Sequence, residues 1–157
     1  MKILLATDGS PCSDSAVKEV ARRPWPADTQ VRIVSVAEQP APLVAEPYMV
    51  PSAYFEEAAK AIRVQAEQAV ERAAATLREA RNGGLPVSTE VLNGSPKRTI
   101  VEEAEAWGAD LIVVGSHGYK SWERMLLGSV SQTVAAHAEC SVEIVRCAES
   151  DERRVTS

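Results

Sequence analysis

Apolar, strand-like runs alternate with helical patterns along this chain. Lys2–Thr7 and Leu111–Val114 are apolar runs of the kind found in strands that are covered on both faces. The remaining strand patterns are Val31–Val36, Pro86–Leu92 and Ser141–Cys147, and the predicted helices are Ser10–Arg23, Ser52–Arg81, Ser95–Gly108 and Val130–Ala138. This alternation predicts an α/β fold with a parallel, doubly wound sheet of five strands and helices on both faces.

The order of the strands follows from which of them are most apolar. The first and fourth strands are the two continuous apolar runs, so we expect them to be central and adjacent. Pro86–Leu92 alternates polar and apolar residues, which is typical of a half-exposed edge strand. The predicted order is therefore 3-2-1-4-5, with the winding direction reversing between strands 1 and 4.

Three further segments have distinctive compositions. Residues 37–52 contain four prolines and predict a long surface loop, either a binding lid or an excursion without function. We expect a single domain over residues 1–148, followed by a charged and disordered tail over residues 149–157. The longest predicted helix has an apolar stripe, for which packing on the chain's own sheet is a simpler explanation than a partner helix. The stripe consists of Phe55, Ala59, Ile62, Ala66, Ala69, Ala73, Leu77 and Ala80.

Composition and charge exclude several classes of partner. The chain has 157 residues and a net charge of -5, which argues against nucleic acid or an anionic membrane as the main partner. No apolar run approaches the length of a transmembrane helix, and the short apolar start predicts a first strand rather than a signal peptide. The three cysteines contain no CxxC pair, so we expect neither a disulfide framework nor a structural zinc site, and a cytoplasmic location.

Two glycine steps near the C-terminal end carry the strongest chemical signal. Gly115-Ser116-His117-Gly118 follows a buried strand, and Gly128-Ser129 opens a helical pattern nine residues later. Glycine lets backbone N–H groups approach an anion, and a helix N-terminus adds unpaired donors and a positive dipole end. The pattern predicts a phosphorylated ligand, most naturally a nucleotide, and a side chain at Gly118 or Gly128 is expected to occupy phosphate space.

The first strand points to the same place. Asp8 ends strand 1 while Gly115 ends strand 4, and ligands of doubly wound sheets bind at the carboxyl ends where the winding reverses. A carboxylate repels phosphate, so Asp8 suits a ribose, a base or a bound magnesium ion, or else simply a turn or helix cap. Neither a GxxxxGK[ST] loop nor a GxGxxG after strand 1 is present, which excludes the usual P-loop and dinucleotide folds.

These motifs together identify a family. The chain resembles the universal stress proteins in Thr7-Asp8-Gly9-Ser10, in Gly94-Ser95-Pro96, in the Gly-x2-Gly-x9-Gly-Ser spacing and in the run from Leu126 to Ser131. The resemblance covers nearly the whole chain, from Met1 to about Cys147. It implies the adenine nucleotide alpha hydrolase-like fold and a role in stress response or regulation. The complete glycine motif resembles the branch of the family that binds ATP, with or without Mg²⁺.

The resemblance also implies the site residues and the assembly. Asp8 matches the residue that contacts the nucleoside, and Val36 the strand-2 position whose backbone meets adenine. The phosphate-binding positions are matched by Gly115, Gly118, Gly128 and Ser129, with Val130 and Ser131 as donors at the helix start. Ser141–Cys147 resembles the strand that pairs between two subunits, and an apolar edge strand is a liability unless something pairs with it. A homodimer is therefore expected.

Catalysis is not expected from these residues. The motif has no Walker lysine and no evident base; His117 is a weak candidate for one, while Lys120 and Arg124 either balance phosphate charge or are solvated. Trp122 suits either the pocket or an interface, and His137 with Cys140 is only half of a metal site. We assign no catalytic and no metal-ligating residue. The alternatives are a weak ATPase, a nucleotidyl transferase, disfavoured because its signatures are missing, and a nucleotide-free dimer that acts by protein contacts.

Overall fold

The computed structural model describes residues 1–40, 51–80, 84–119 and 127–147. Within these ranges strands and helices alternate strictly, as the sequence pattern predicts. In chain order the elements are β1 (Lys2–Ala6), α1 (Pro11–Arg22), β2 (Gln30–Ala37), α2 (Ser52–Glu79), β3 (Val87–Asn93), α3 (Pro96–Trp107), β4 (Leu111–Gly115), α4 (Ser129–His137) and β5 (Ser141–Val145).

The described strands form a single five-stranded parallel sheet in the order β3-β2-β1-β4-β5. The predicted fold class and strand order are therefore confirmed. Strand β1 is central, since Ile3 pairs with Val31 of β2 on one side and with Leu111 of β4 on the other. The carboxyl ends of β1 and β4 consequently lie next to each other, at the reversal of winding.

The alternation of side chains along β1 explains why this strand is apolar throughout. Ile3 and Leu5 are fully buried in one core, against α1 and α2. Leu4 and Ala6 point to the opposite face, where they lie in a second core with α3 and α4. A strand covered on both faces needs apolar residues at successive positions, so the continuous run is the sequence signature of its central place.

Element ends differ slightly from the predictions. Helix α4 begins at Ser129 rather than Val130, and β5 ends at Val145 rather than Cys147. The stripe of α2 is buried only in its second half, from Ala66 to Leu77, whereas Phe55 and Ile62 are half-buried. Packing on the chain's own sheet is thus confirmed for that half of the helix.

Arg23, just beyond α1, holds the end of this helix against β5. Its two terminal nitrogens each donate a hydrogen bond of 2.8 Å to the carboxylate of Glu143, and one also donates to Glu19 at 2.7 Å. These contacts lower the pKa of Glu19 and raise the pKa of Arg23. A bidentate guanidinium–carboxylate pair fixes geometry better than a lysine pair does, so β5 is anchored at this point.

Two predicted irregular segments fall mostly outside the described residues. Of the proline-containing segment, residue 37 ends β2 and residue 52 begins α2, while residues 41–50 are not described. Residues 148–157, which include the predicted tail, also lie outside. No helix within the described ranges is long and apolar enough to cross a membrane.

Candidate functional site

The residues that follow β1 and β4 meet at the carboxyl edge of the sheet. Oδ1 of Asp8 accepts a hydrogen bond of 2.9 Å from the N–H of Ser10, which is the turn role open to an aspartate at this position. A Cβ placed on Gly118 would lie 2.7 Å from Oδ2 of the same carboxylate. The loop after β4 therefore comes close to the carboxylate of Asp8, so the two motifs converge in space.

Ser116 joins the loop after β4 to the start of α4. Its carbonyl oxygen accepts hydrogen bonds from the N–H of Gly128 at 2.7 Å and from the hydroxyl of Ser131 at 3.1 Å. Ser116 and Ser131 are each 2% exposed. The N–H of Gly128 and the hydroxyl of Ser131 are therefore used within the protein, and neither is left to bind a ligand.

The first turn of α4 presents backbone donors instead. Ser129, Val130 and Ser131 open this helix after the extended Gly128, and no side chain among the described residues caps it. The first backbone bond of the helix joins the N–H of Gln132 to the carbonyl oxygen of Gly128 at 3.0 Å. The N–H groups of the three preceding residues have no intrahelical acceptor, and they lie at the positive end of the helix dipole. This arrangement suits an anion.

The absence of a side chain serves a different purpose at each glycine of the motif. A Cβ on Gly115 would lie 2.7 Å from backbone atoms of Cys12 and Ser13, so this glycine serves the close packing of β4 on α1. A Cβ on Gly128 would lie 3.1 Å from the carbonyl oxygen of Ser116. A side chain at Gly118 or Gly128 would therefore meet protein atoms, and its expected overlap with a bound phosphate stays a prediction.

Val36 lies near the end of β2, where its backbone faces beyond the end of β1. The last backbone bond between the two strands runs from the N–H of Thr7 to the carbonyl oxygen of Val34, at 2.9 Å. Backbone groups of alternate residues point to the same side of a strand, so the N–H and C=O of Val36 are directed to the β1 side, past its last pairing. They face the edge that also holds Asp8.

Two residues near the site carry no signal in the sequence motifs. The hydroxyl of Tyr119 donates a hydrogen bond of 2.7 Å to the carbonyl oxygen of Gly9, which ties the loop after β4 to the loop after β1. Gly9 has φ 76°, and a Cβ there would lie 2.6 Å from Nη2 of Arg72 in α2. Arg72 comes from a helix whose register against β1 is set by tertiary packing, so sequence spacing could not place it here.

His117 and the remaining loop candidates are placed only in part. Nδ1 of His117 lies 3.1 Å from the hydroxyl oxygen of its neighbour Ser116, and the residue is half-buried. Lys120, Trp122 and Arg124 lie outside the described residues. The contribution of these three side chains to phosphate binding or to an interface stays a prediction.

The histidine and cysteine that are spaced like half of a metal site have separate surroundings in the described part of the chain. His137 is exposed in the last turn of α4, and its Nδ1 lies 2.9 Å from the carbonyl oxygen of Thr133. Cys140 is half-buried against the core shared by α3 and α4. Within residues 1–40, 51–80, 84–119 and 127–147 no group of three or more His, Cys, Asp or Glu side chains is arranged to hold a metal ion.

The cysteines contradict the expectation from their number and spacing. Cys12, in the first turn of α1, forms a disulfide with Cys147, two residues beyond β5, with Cα atoms 4.3 Å apart. The two residues are 135 positions apart. We expected no disulfide framework, and the structure contains this one bond, because the absence of a CxxC pair does not bear on a contact that the topology of the sheet creates.

Comparison with known proteins places this geometry in a family. The family model described as "Universal stress protein family" matches residues 1–146. A universal stress protein of Methanocaldococcus jannaschii is 33% identical over 145 residues, which cover 92% of this chain and 81% of the relative.

Solved structures agree with the sequence comparison. The structure of the hypothetical protein MJ0577 superposes with a TM-score of 0.79 at 27% identity, over 95% of this chain and 97% of the other. A universal stress protein in complex with cAMP superposes with a TM-score of 0.58 at 26% identity, over 94% and 98% of the two chains. With the strand order and the glycine motif described above, these matches show that the chain belongs to the universal stress protein family.

Proposed function

We propose that this chain binds an adenine nucleotide, ATP in the first place, at the carboxyl edge between β1 and β4. The observation that supports this most strongly is the uncapped first turn of α4, which stands next to the contact between Asp8 and Gly118. Donors suited to an anion and an acceptor suited to hydroxyl or amino groups thus lie side by side. A nucleotide has both kinds of group, whereas a free phosphate has no use for the carboxylate.

The phosphates are assigned to α4 and the glycine loop. The N–H groups of Ser129, Val130 and Ser131 are the donors, and Gly115, Gly118 and Gly128 shape the backbone around them. Gly128 acts here through its position rather than its N–H, since that group is bonded to Ser116. Three N–H groups at a helix N-terminus bind an anion through both hydrogen bonds and the helix dipole.

The nucleoside is assigned to β1 and β2. Asp8 accepts hydrogen bonds through Oδ2, since Oδ1 is engaged by Ser10. The backbone N–H and C=O of Val36 offer one donor and one acceptor, which is the pair that the edge of an adenine ring requires. A Mg²⁺ ion that accompanies the nucleotide would supply positive charge to the phosphates, and the carboxylate of Asp8, beside Gly118, is the group we assign to contact it.

A solved relative supports the ligand class. The universal stress protein whose complex contains cAMP binds an adenine nucleotide, and its sequence is 26% identical to this chain. Because cAMP and ATP share the adenosine moiety, that complex supports the assignment of the adenine side more directly than the number of phosphates. We therefore keep cAMP as a competitor to be tested.

We further propose a regulatory, stress-response role in the cytoplasm, with slow hydrolysis or none. No lysine lies within residues 115–119 or 127–131, and Nδ1 of His117 lies 3.1 Å from the hydroxyl oxygen of Ser116. The phosphate donors among the described residues are backbone N–H groups, and a backbone N–H cannot act as the base that activates a water molecule. Weak ATPase activity is the second candidate, and it would require His117 or Asp8.

The assembly we propose is a homodimer that pairs through Ser141–Cys147. Strand β5 is at the edge of the sheet, and its residues Val142, Ile144 and Val145 are only half-buried in the isolated chain. An open apolar edge invites pairing with a second copy. Sedimentation equilibrium tests this, with a dimer expected for the natural chain and a monomer for Ile144→Arg.

The proposed function is tested first on the purified protein. Denaturation followed by mass spectrometry should release an adenine nucleotide, and titration calorimetry should show binding of ATP with and without Mg²⁺ and rank cAMP against it. Absence of both signals favours the alternative, a nucleotide-free dimer that acts by protein contacts. Sustained phosphate release that disappears in His117→Ala or Asp8→Ala favours the ATPase.

A further inference from the structure

The disulfide between Cys12 and Cys147 lies against the proposed nucleotide site rather than apart from it. The hydroxyl of Ser116 donates to Sγ of Cys12 at 3.7 Å, and the carbonyl of the same serine accepts the N–H of Gly128. The backbone of Cys12 also packs on Gly115 so tightly that a Cβ there would lie within 2.7 Å. Ser116 therefore links Sγ of Cys12 to the hydrogen bond from Gly128 that positions the start of α4.

The two sulfur atoms are in unequal surroundings. Cys12 is 5% exposed, whereas Cys147 is half-buried beyond the end of β5. An attacking thiolate reaches a disulfide at its more accessible sulfur, which in the isolated chain is Sγ of Cys147, two residues beyond the last residue of β5. Cys12 is then the leaving group, and it lies in the first turn of α1 with the hydroxyl of Ser116 within reach. A helix N-terminus and a hydroxyl donor both stabilise a departing thiolate.

From these surroundings we propose that Cys12 and Cys147 are a redox-active pair, opened by a dithiol reductant, and that their bond strengthens nucleotide binding. The part of this inference that concerns affinity rests on the proposed function. If the protein is cytoplasmic, a disulfide there is more often transient and regulatory than structural.

The dithiol supplies the electrons and protons that reduce the disulfide between Cys12 and Cys147. One of its thiolates attacks Sγ of Cys147, the bond to Cys12 breaks, and the electron pair leaves with Sγ of Cys12. The second thiol of the donor then attacks the mixed disulfide and releases Cys147. Two electrons and two protons pass from the donor to the protein, so the donor leaves as a disulfide and both cysteines end as thiols. A disulfide oxidant reverses the reaction.

Opening the bond changes the chain locally. Strand β5 stays attached, because the N–H of Ser116 donates to the carbonyl oxygen of Val145 at 2.7 Å and Arg23 grips Glu143. The covalent tie that is lost holds the first turn of α1 against the segment beyond Val145. Without this bond Cys12 is held less firmly against Ser116. Ser116 in turn accepts the hydrogen bonds that position Gly128 and Ser131.

The test compares the full chain in its oxidised and dithiothreitol-reduced states. A thiol count should rise from one to three, because Cys140 alone is outside the disulfide. Titration calorimetry with ATP should then show affinity falling by about fivefold or more on reduction, the usual lower end of a coupling between sites. Reoxidation should restore it, and circular dichroism confirms that the reduced chain is folded.

Single substitutions separate the pair from the third cysteine. Cys147→Ser should have the affinity of the reduced protein in either condition, and Cys12→Ser should agree with it. Cys140→Ser is the matched control and should keep the full response to the dithiol.

Three results overturn the inference. They are three thiols in air-oxidised protein, a bond that resists the dithiol until the chain unfolds, and equal affinities in the two states. The last leaves the proposed function intact. If neither state binds any nucleotide, the proposed function fails together with the control of affinity, while the thiol count still reports the redox chemistry by itself.

Discussion

The N-termini of α1 and α4 lie at the same edge of the sheet, after adjacent strands, yet the protein treats them differently. Helix α1 begins with Pro11, which has no N–H, and the hydroxyl of Ser10 accepts from the N–H of Ser13 at 3.4 Å. Helix α4 begins with Ser129 and has no side-chain cap among the described residues. At the start of α1 the side chain of Ser10 accepts a backbone N–H. At the start of α4 no described side chain does so, and the backbone N–H groups of its first turn remain available to a ligand.

The difference divides one edge of the sheet into a half that is closed by the protein's own contacts and a half that we propose binds the nucleotide. At α1 the backbone is crowded, since a Cβ on Gly115 would lie 2.7 Å from the backbone of Cys12. Cys12 also forms the disulfide with Cys147. At α4 an added Cβ on Gly128 would lie 3.1 Å from the carbonyl oxygen of Ser116 and 3.4 Å from Cα of His117, a looser fit than at Gly115. Ser129 is exposed and Val130 is half-buried, so the backbone donors of this helix start are accessible to a ligand.

The largest expected effect concerns the closed half. Gly115→Val should lower the free energy of unfolding by about 3 kcal/mol, because the new side chain enters the space of the α1 backbone. Urea denaturation measures this loss. Gly118→Ala is the control, as only the flexible carboxylate of Asp8 must move, and a comparable loss there would remove the distinction between the two glycines.

The open half is tested by removing one donor without disturbing the helix. Ser129→Pro deletes the N–H at the first helical position, where proline is well tolerated, and Gly128 already has the extended conformation that precedes proline. Loss of a hydrogen bond to a charged group should weaken ATP binding by roughly 10- to 100-fold.

The matched variant for that substitution is Ser129→Ala, which keeps the N–H and loses only the hydroxyl. It should bind ATP nearly as well as the natural chain in titration calorimetry. Equal affinities for the alanine and proline variants would show that this donor does not contact the nucleotide.

The cap of α1 should behave in the opposite way. Ser10→Ala removes the acceptor for the N–H of Ser13 and should cost about 1 kcal/mol of stability, with little change in ATP affinity. Thermal denaturation and calorimetry on one preparation measure both quantities. Ser15→Ala, an exposed hydroxyl in the same helix, is the control. An affinity loss as large as that of Ser129→Pro would mean that both helix starts contact the ligand.

The smallest effect is expected at the contact between the two loops. Gly118→Ala should displace Oδ2 of Asp8 and weaken ATP binding by about threefold, on the order of half the net worth of one hydrogen bond. Asp8→Asn should weaken it to a similar extent, and the double variant should add little. Additive losses would show that Gly118 does not act through Asp8.

The sequence predicts the strands that carry the two helix starts better than it predicts the contacts around them. The apolar runs predict β1 and β4 as central strands, and their adjacency puts Asp8 beside the glycine motif. This worked because burial on both faces of a strand leaves a direct mark on composition. The position of Val36 could be assigned only from the resemblance to the family.

Other features depend on tertiary packing and leave no local mark. Spacing cannot tell that Gly115 faces a backbone while Gly118 faces a carboxylate, and it cannot place Arg72 near Gly9. The bond between Cys12 and Cys147 arises because α1 packs across β4 and reaches β5, which brings residues 135 positions apart into contact. Counting cysteines and noting their spacing is therefore a poor guide in this fold.

That bond also makes most of the chain a covalent ring. A protease that cuts once anywhere between Cys12 and Cys147 leaves its two fragments joined, so the cut is invisible on a gel until a reductant is added. The ring also restricts the unfolded chain, and a loop of about 100 residues is worth about 4.7 kcal/mol in the chain-entropy model. The redox state of the protein would then set how long it survives unfolding and proteolysis, independently of any ligand.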